Sequence, residues 1–479
     1  MSDSTSIRDC RTARLSCLVS FLLAVSTVPT AAAPPSRVSE ALRPYVSVDA
    51  PVVALAGVKL FDGTGSPARS GQVLVIEHGR IVDLGSKESV SIPERARILD
   101  LSGRTVIPGL VGTHNHLHMP GMRLLAYTAP RLYLASGVTT IQTTGSASPR
   151  EEAALARAVE RGEVPGPQIV HTGPYFTGPG GSTAMLQPKH AAEIEREIRR
   201  WAGEGVRWFK VYRHIEPARL RDVIRIAHEH DVKVAGHLCS VTYAEAAEMG
   251  IDVIEHGFLH AFDLAEDKET GRCSGSRSFR DAVAIDSKAV RQLQASMIEH
   301  GVALSSTLAI FEAQVPSRAI ADRRTLEAMS PEWRSAYERR RQRMKTEGDS
   351  WTFKEAWLKK SMQFDRAFHQ SGGLLTAGLD PGLHNLPGFG DQRNFELFVE
   401  AGFSVAEAIQ VMTSNGAKLL ELPDRGVLDK GRRADLVVLR GDLEADSSAI
   451  RAVELIFKAG VGYQPEKLLA DVEGQVGLR

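Results

Sequence analysis

Cysteine is scarce in this sequence: four in 479 residues, with no Cys-x-x-Cys among them. That excludes a thiolate zinc site of the usual spacing. Cys10 and Cys17 fall near the start, and Cys17 precedes the leader's apolar run, where lipid attachment is poorly served. Cys239 and Cys273 remain for the body of the chain. In an oxidising compartment they could join; two buried thiols fit equally well. Net charge is missing too, since Lys+Arg and Asp+Glu both number 58. With no dense basic run interleaved with aromatics, nothing calls for nucleic acid or an anionic membrane as partner. There is no low-complexity tract, and no repeat beyond strand–helix alternation. There are not two comparable α/β lobes, which disfavours a solute-binding protein. What is present is a 43% hydrophobic, 24% charged composition. That is enough for a sizeable core in a globular protein, over a length exceeding one average domain.

The N-terminus reads as a secretory signal, residues 1–33. Arg8, Arg11 and Arg14 form a basic start, Leu15 to Val28 is mostly apolar, and Ala31, Ala32 and Ala33 follow. The run is too short, and too polar at its end, for a good membrane span. The expectation is export, to the periplasm or beyond. Residues 34–50 are Pro-rich and read as a linker. From 51 to 107, short apolar runs alternate with Gly-marked turns. Val53–Leu60, Gln72–His78, Arg80–Leu84 and Arg97–Leu101 read as strands of a small β-sandwich.

From 108 to 424 the pattern becomes strand–helix alternation. Thr105–Gly112, Val138–Thr144, Gln168–Thr172, Arg207–Tyr212, Lys233–His237, Val253–His256, Val302–Ser306 and Leu374–Leu379 are the strands. Helical patterns such as Arg150–Arg161, His190–Ala202, Pro217–Glu229 and Ser287–His300 lie between most of them. This is the plan of an α/β chain folded as a (β/α)8 TIM barrel. The stretch Glu312–Lys360 is charged and helical, either a lid or an ordinary surface insertion. Residues 425–479 bring two more strands, Asp435–Leu439 and Val453–Lys458, which return to the sandwich. One domain is thus built from both chain ends.

The chemistry-bearing residues fall at strand C-termini. Pro108-Gly109-Leu110-Val111-Gly112-Thr113-His114-Asn115-His116 puts two histidines on one face of a strand end, because strand side chains alternate. Lys210 sits inside the apolar strand Trp208–Tyr212, where an ammonium needs a partner or must lose its charge. His237, His256 and Asp380 each end a further strand. Singly, each has a bland reading: a satisfied core histidine, a snorkelling lysine, a capping aspartate. Together they mark the end of a barrel where active sites are built, with imidazole and carboxylate donors suited to divalent metals.

As an ordered set, these motifs resemble the amidohydrolase superfamily, over nearly everything from Val52 onward. Phe209-Lys210-Val211-Tyr212, Gly236-His237 and Glu255-His256-Gly257 are most similar to its imidazolonepropionase and prolidase-like branch. The tail Gly431-Arg432-Arg433-Ala434-Asp435-Leu436 resembles the superfamily's return strand. One departure is Gly112, where an aspartate is common two residues before the first histidine. The resemblance implies two divalent metals, zinc by default, although manganese, iron or cobalt suit the same donors. His114, His116 and Asp380 would hold the more buried ion, and His237 and His256 the more exposed one. Lys210 would bridge both as a carbamate formed with CO2.

The implied reaction is hydrolysis of a C–N bond, amide or peptide-like, in a small substrate such as a dipeptide or N-acyl amino acid. A hydroxide bridging metals about 3.5–4 Å apart would attack, with Asp380 as general acid and base. Tyr175, Tyr212 and His214 are candidates to bind substrate, or else pack the rim; Arg393 is another candidate, or begins a helix. His118, His260 and His384 lie near the same loops without an assigned role. A lactonase or phosphotriesterase would use the same set. A non-catalytic metal-binding scaffold is the remaining alternative, and a homo-oligomer is left open.

Overall fold

The computed structural model describes residues 38–119 and 125–478. The expected signal peptide lies outside the described residues. Six strands open the chain: β1 (Val46–Val48), β2 (Val52–Leu60), β3 (Arg69–Glu77), β4 (Arg80–Ser86), β5 (Arg97–Asp100) and β6 (Arg104–Pro108). The described part of segment 34–50 is not the irregular linker expected. Val46–Val48 pairs antiparallel with a strand near the C-terminus, and Val38 and Leu42 are buried. The alternating valines supply an edge strand that the Pro-rich composition upstream obscured.

β2 and β3 pair antiparallel from Val52↔Glu77 to Leu60↔Arg69. One face carries Val53 and Leu55 with Leu74 and Ile76, packed on Val106 of β6. The other carries Val52, Ala54, Val73 and Val75 beneath Val90. Alternation therefore buries apolar residues on both faces.

The expectation of one strand over 105–112 is corrected to two. β6 ends at Pro108, which pairs with Leu436, while β7 (Leu110–Asn115) pairs with β8 (Val138–Thr143) from Leu110↔Val138. Proline cannot donate to a ladder and suits the strand's end. At Gly109 a Cβ would stand 2.2 Å from Thr139 Oγ1, so only glycine permits the close approach where the chain changes sheets.

From Leu110 to Ala377 the pairings between strands are all parallel. β7, β8 and β9 (Gln168–Val170) form one sheet. A second, in chain order, holds β10 (Tyr175–Phe176), β11 (Trp208–Val211), β12 (Lys233–Gly236), β13 (Val253–Glu255), β14 (Ala303–Ser306) and β15 (Leu375–Ala377). Backbone hydrogen bonds link the two sheets at both margins. Gly173 N donates to Trp208 O at 3.0 Å, and Asp380 N donates to His114 O at 2.9 Å. Helices α1 (Thr128–Ala135), α2 (Pro149–Glu160), α3 (Ala191–Gly203), α4 (Pro217–Glu229), α5 (Tyr243–Glu248), α6 (Phe279–Ala282) and α7 (Lys288–Glu299) alternate with the strands. α3 shows why they pack: Ile194, Ile198 and Trp201 recur at helical spacing and are its buried residues. α5 starts at a capping box, Thr242 with Glu245.

The charged stretch expected over 312–360 holds α8 (Leu308–Glu312) at its start, then α9 (Arg323–Ala328), α10 (Pro331–Glu347) and the beginning of α11 (Glu355–Gln370). α10 buries only Met344, as its polarity requires, and Trp333 near its start donates to Leu383 O at 2.7 Å. Past β15, α12 (Phe389–Glu400) leads back to β16 (Leu436–Arg440), β17 (Val453–Lys458) and β18 (Val461–Tyr463). These three join the first sheet, with β16 inserted beside β6 and β18 beside β1. Both chain ends therefore build one sheet, and the architecture is mixed α/β. Among the described residues, no helix is long and apolar enough to cross a membrane.

Candidate metal centre

The register of the parallel strands brings their C-terminal ends to one level. Tyr175 pairs with Lys210, Lys210 with Ala235, Gly236 with Ile254, Glu255 with Ser305, and Ser306 with Ala377. Residues ending these strands consequently converge. His114 Nε2 lies 3.7 Å and His116 Nε2 3.3 Å from Asp380 Oδ1. His256 Nδ1 lies 3.9 Å from Asp380 Oδ2. His237 joins through its ring, 4.4 Å centroid to centroid from His256. Lys210 is fully buried and forms an ion pair with Glu255. The structure thus gathers all six residues expected around the metals.

It adds Glu255, whose Oε1 lies 3.6 Å from His114 Nδ1. Strand alternation lets only one of two adjacent residues face the interior, so reading His256 inward hides Glu255. The backbone removes the conflict: His256 has φ +70°, turning its side chain back toward the cluster. Asp380 likewise sits at φ +49°. Left-handed backbone at non-glycine residues is uncommon, and it concentrates at functional sites.

Ligand atoms of His114, His116 and Asp380 lie within 4.8 Å of one another, and so do those of His114, Glu255 and His256. The two groups share His114. Both ring nitrogens of His114 and Nε2 of His237 are buried with no hydrogen-bond partner. Orphaned buried nitrogens are costly unless something occupies the space between them. Their protonation also suits a cation. Burial, then the charge of Lys210, holds His114 well below the usual histidine range. Burial pushes His256 down to about 3, with Lys210 adding to it and Asp380 opposing. His237 is depressed by burial and by His256. Burial alone would raise Asp380, but its hydrogen bond with His116 and the surrounding positive charge bring it below the ordinary carboxylate range. Neutral imidazoles around a carboxylate are the ligating forms, so the donor set fits divalent metal.

The supporting contacts are specific. Tyr175 OH lies 3.1 Å from His116 Nδ1 and orients that ring. Thr307 Oγ1 lies 3.0 Å from His256 Nδ1. Tyr212 stands with its ring 4.8 Å from that of His237 and 6.2 Å from that of Tyr175. His214, partly buried, lies beside Gly178 and Gly180 rather than in the cluster. Among the histidines given no role, His260 proves close, with its ring 4.5 Å from that of His237. His118 instead pairs with Glu151 and Glu152, and His384 packs on Tyr337. Arg393 lies within α12, bonded to Glu312 and Glu396. At Gly112 a Cβ would stand 2.7 Å from Asn115 Nδ2 and 3.4 Å from Asp391 Oδ1. The departure from aspartate therefore makes room for the Asn115 amide.

The amidohydrolase family model matches residues 105–461, most of the chain. The chain belongs to the amidohydrolase family. Among curated proteins, this amidohydrolase is 37% identical to the imidazolonepropionase of Streptomyces griseus over 111 residues, 21% of this chain and 28% of that protein. The curated relatives it matches are each covered over less than half their length. Solved structures agree on the fold. A Xaa-Pro dipeptidase with bound methionine in its active site superposes with TM-score 0.63 at 20% identity, covering 86% of this chain and all of that one (100%). Bottromycin amidohydrolase gives TM-score 0.69 at 17% identity, covering 92% and 94%.

Proposed function

We propose that this amidohydrolase cleaves a C–N bond, amide or peptide-like, in a small substrate such as a dipeptide or N-acyl amino acid. The observation that carries the reading is the convergence of His114, His116, Lys210, His237, His256 and Asp380 toward the C-terminal ends of the parallel strands, with buried imidazole nitrogens that have no hydrogen-bond partner. Curated relatives named imidazolonepropionase, enamidase and N-acyl-D-aspartate deacylase support the bond class. We read the two parallel sheets as arcs of one (β/α)8 barrel, residues 108–424. The sheet formed by 51–107 and 425–479 is read as a β-sandwich.

In this reading His114, His116 and Asp380 would hold one divalent ion, and His237 and His256 would hold a second. Lys210, once carboxylated, would supply oxygen donors to them. Bound there, zinc or a similar ion would activate water at neutral pH and polarise the substrate carbonyl. The protein's own part is positional and protonic. Tyr175 keeps the His116 ring turned so that Nε2 faces the cluster. Asp380, ionised, accepts the nucleophile's proton and returns it to the leaving nitrogen. Carboxylation of Lys210 would replace a buried ammonium with an anion, which the added cations favour. The disulfide between Cys239 and Cys273 supports export to an oxidising compartment.

The test is a panel of dipeptides, N-acyl amino acids, lactones and phosphotriesters given to the zinc-reconstituted protein, with and without chelator, products identified by mass. Chelator-sensitive release of an amine is the expected result. Cleavage confined to the esters would overturn the C–N reading in favour of a lactonase or phosphotriesterase.

A further inference from the structure

Beside His237 the site carries positive charge with no carboxylate against it among the described residues. Arg213 follows Tyr212 just beyond β11, and its carbonyl accepts from Ser240 N at 2.9 Å. Its Nη2 reaches only Cys273 Sγ, at 3.7 Å, and its Nε is buried without a partner. Arg280, buried on α6, donates to Leu259 O and lies over Trp357, 5.2 Å from its centroid. Arg277, exposed, lies between Cys273 and the start of α6. His260, next to Leu259, sets its ring against those of His237 and Phe311, and its Nδ1 is buried with no partner.

Acids of the surrounding segments are engaged by other groups, and Asp267 accepts from Ser276 N at 2.7 Å. Asp263 accepts from Tyr243 N and Ala244 N, Glu269 pairs with Arg272, and Asp281 pairs with Lys354. The Cys239–Cys273 disulfide ties the loop bearing Arg277 to the segment after β12 that bears His237. Both Arg280, buried, and Arg213, partly buried, show the imbalance. Burial pushes Arg280 down to about 10, with Arg277 adding to it, and Arg213 is lowered by burial and by Arg277 against Tyr212.

A partly buried guanidinium without an anion is costly, and its fork matches a carboxylate in two hydrogen bonds. We propose that Arg213, with Arg277 and His260, forms a subsite for a substrate carboxylate beside His237, so that the preferred substrate is an N-acylated or peptidyl amino acid with its carboxylate free. This rests on the reading of the cluster as a C–N hydrolase. It adds which end of the substrate the chain grips and with which residues.

The test uses the zinc-loaded protein and a panel of N-acetyl amino acids, each beside its neutral carboxamide, with affinities from titration calorimetry. The wild type should bind the best acid at least about tenfold more tightly than its amide, because the amide forfeits the charged hydrogen bonds to the guanidinium. Arg213→Gln should bring the ratio near unity, and Arg213→Lys should keep part of it. Arg277→Gln, at an exposed position, should lower the ratio several-fold with the fold intact. Equal binding of acid and amide across the panel, or a ratio unchanged in both glutamine variants, overturns the subsite. Products are followed by mass in the same samples. Acid preference without cleavage would leave the subsite standing and sink the hydrolase reading; cleavage without acid preference would do the reverse.

Discussion

Removing Lys210 from the metal-free protein should cost far more than removing it together with Glu255. The two side chains are an ion pair inside the cluster, each 1% exposed. Breaking such a pair leaves one uncompensated charge in a site that water cannot solvate, at a cost of about 3–5 kcal/mol. Lys210→Met leaves Glu255 alone, and Glu255→Gln leaves Lys210 alone. The double variant removes both charges, and replacing a whole buried pair is commonly neutral or stabilising. If each single costs at least about 3 kcal/mol and the double about 3 or less, the coupling energy is at least about 3 kcal/mol. The assay is urea unfolding of chelator-treated protein at pH 8, comparing midpoints at constant slope. That pH is needed because burial raises the Glu255 carboxyl to about 7, against the pull of Lys210. Additive costs would refute the reasoning, since they would mean that the two groups do not depend on each other.

Three further outcomes follow from other parts of the molecule. Burial raises the Asp391 carboxyl to about 7, so the folded state keeps a proton that the unfolded chain releases above pH 4, and stability falls as pH rises from 4 to 7. Asp391→Asn should remove that slope, gaining about 2–3 kcal/mol on the wild type between pH 5 and pH 8 in urea unfolding; parallel profiles would contradict it. Gly112→Asp should displace Asn115, whose Oδ1 accepts from Tyr133 OH at 2.8 Å, and bring a carboxylate toward Asp391. The expected loss is about 1–3 kcal/mol in the same assay, and an unchanged midpoint would show that the space is not tight. Replacing Cys239 and Cys273 by serine opens a link spanning 34 residues, and loop-closure entropy puts the loss at about 4 kcal/mol. Equal stability of variant and parent under oxidising conditions would contradict that.

The ligand set was legible because Lys210 lies within an apolar run and the other five close one, where a buried polar group has no bland role in common with the rest. Glu255 was not, because adjacent residues on a strand cannot both be read inward, and nothing in Glu255-His256-Gly257 announces the left-handed backbone at His256. The break between β6 and β7 was hidden for a related reason: apolar residues continue through Pro108 and Gly109, although the two halves serve different sheets. β1 was masked by prolines before it, and its partner, β18, lies more than 400 residues away, beyond any local pattern. Cys239 and Cys273 carry no spacing signal that separates a disulfide from two thiols. The segment between β13 and α6, which carries Cys273, folds back to the segment after β12, which carries Cys239. His260 was visible as a residue but not as a neighbour, because the 3-10 turn Gly257–His260 that carries its ring toward His237 has no sequence mark beyond one glycine.

The central claim is that His114, His116, Lys210, His237, His256 and Asp380 enclose two divalent ions. The most direct measurement is the zinc content per chain after reconstitution in bicarbonate buffer and removal of free metal, by elemental mass spectrometry. The account predicts two ions per chain in the wild type and a loss of at least one in Lys210→Met. A single ion in the wild type, or two retained without Lys210, would contradict it.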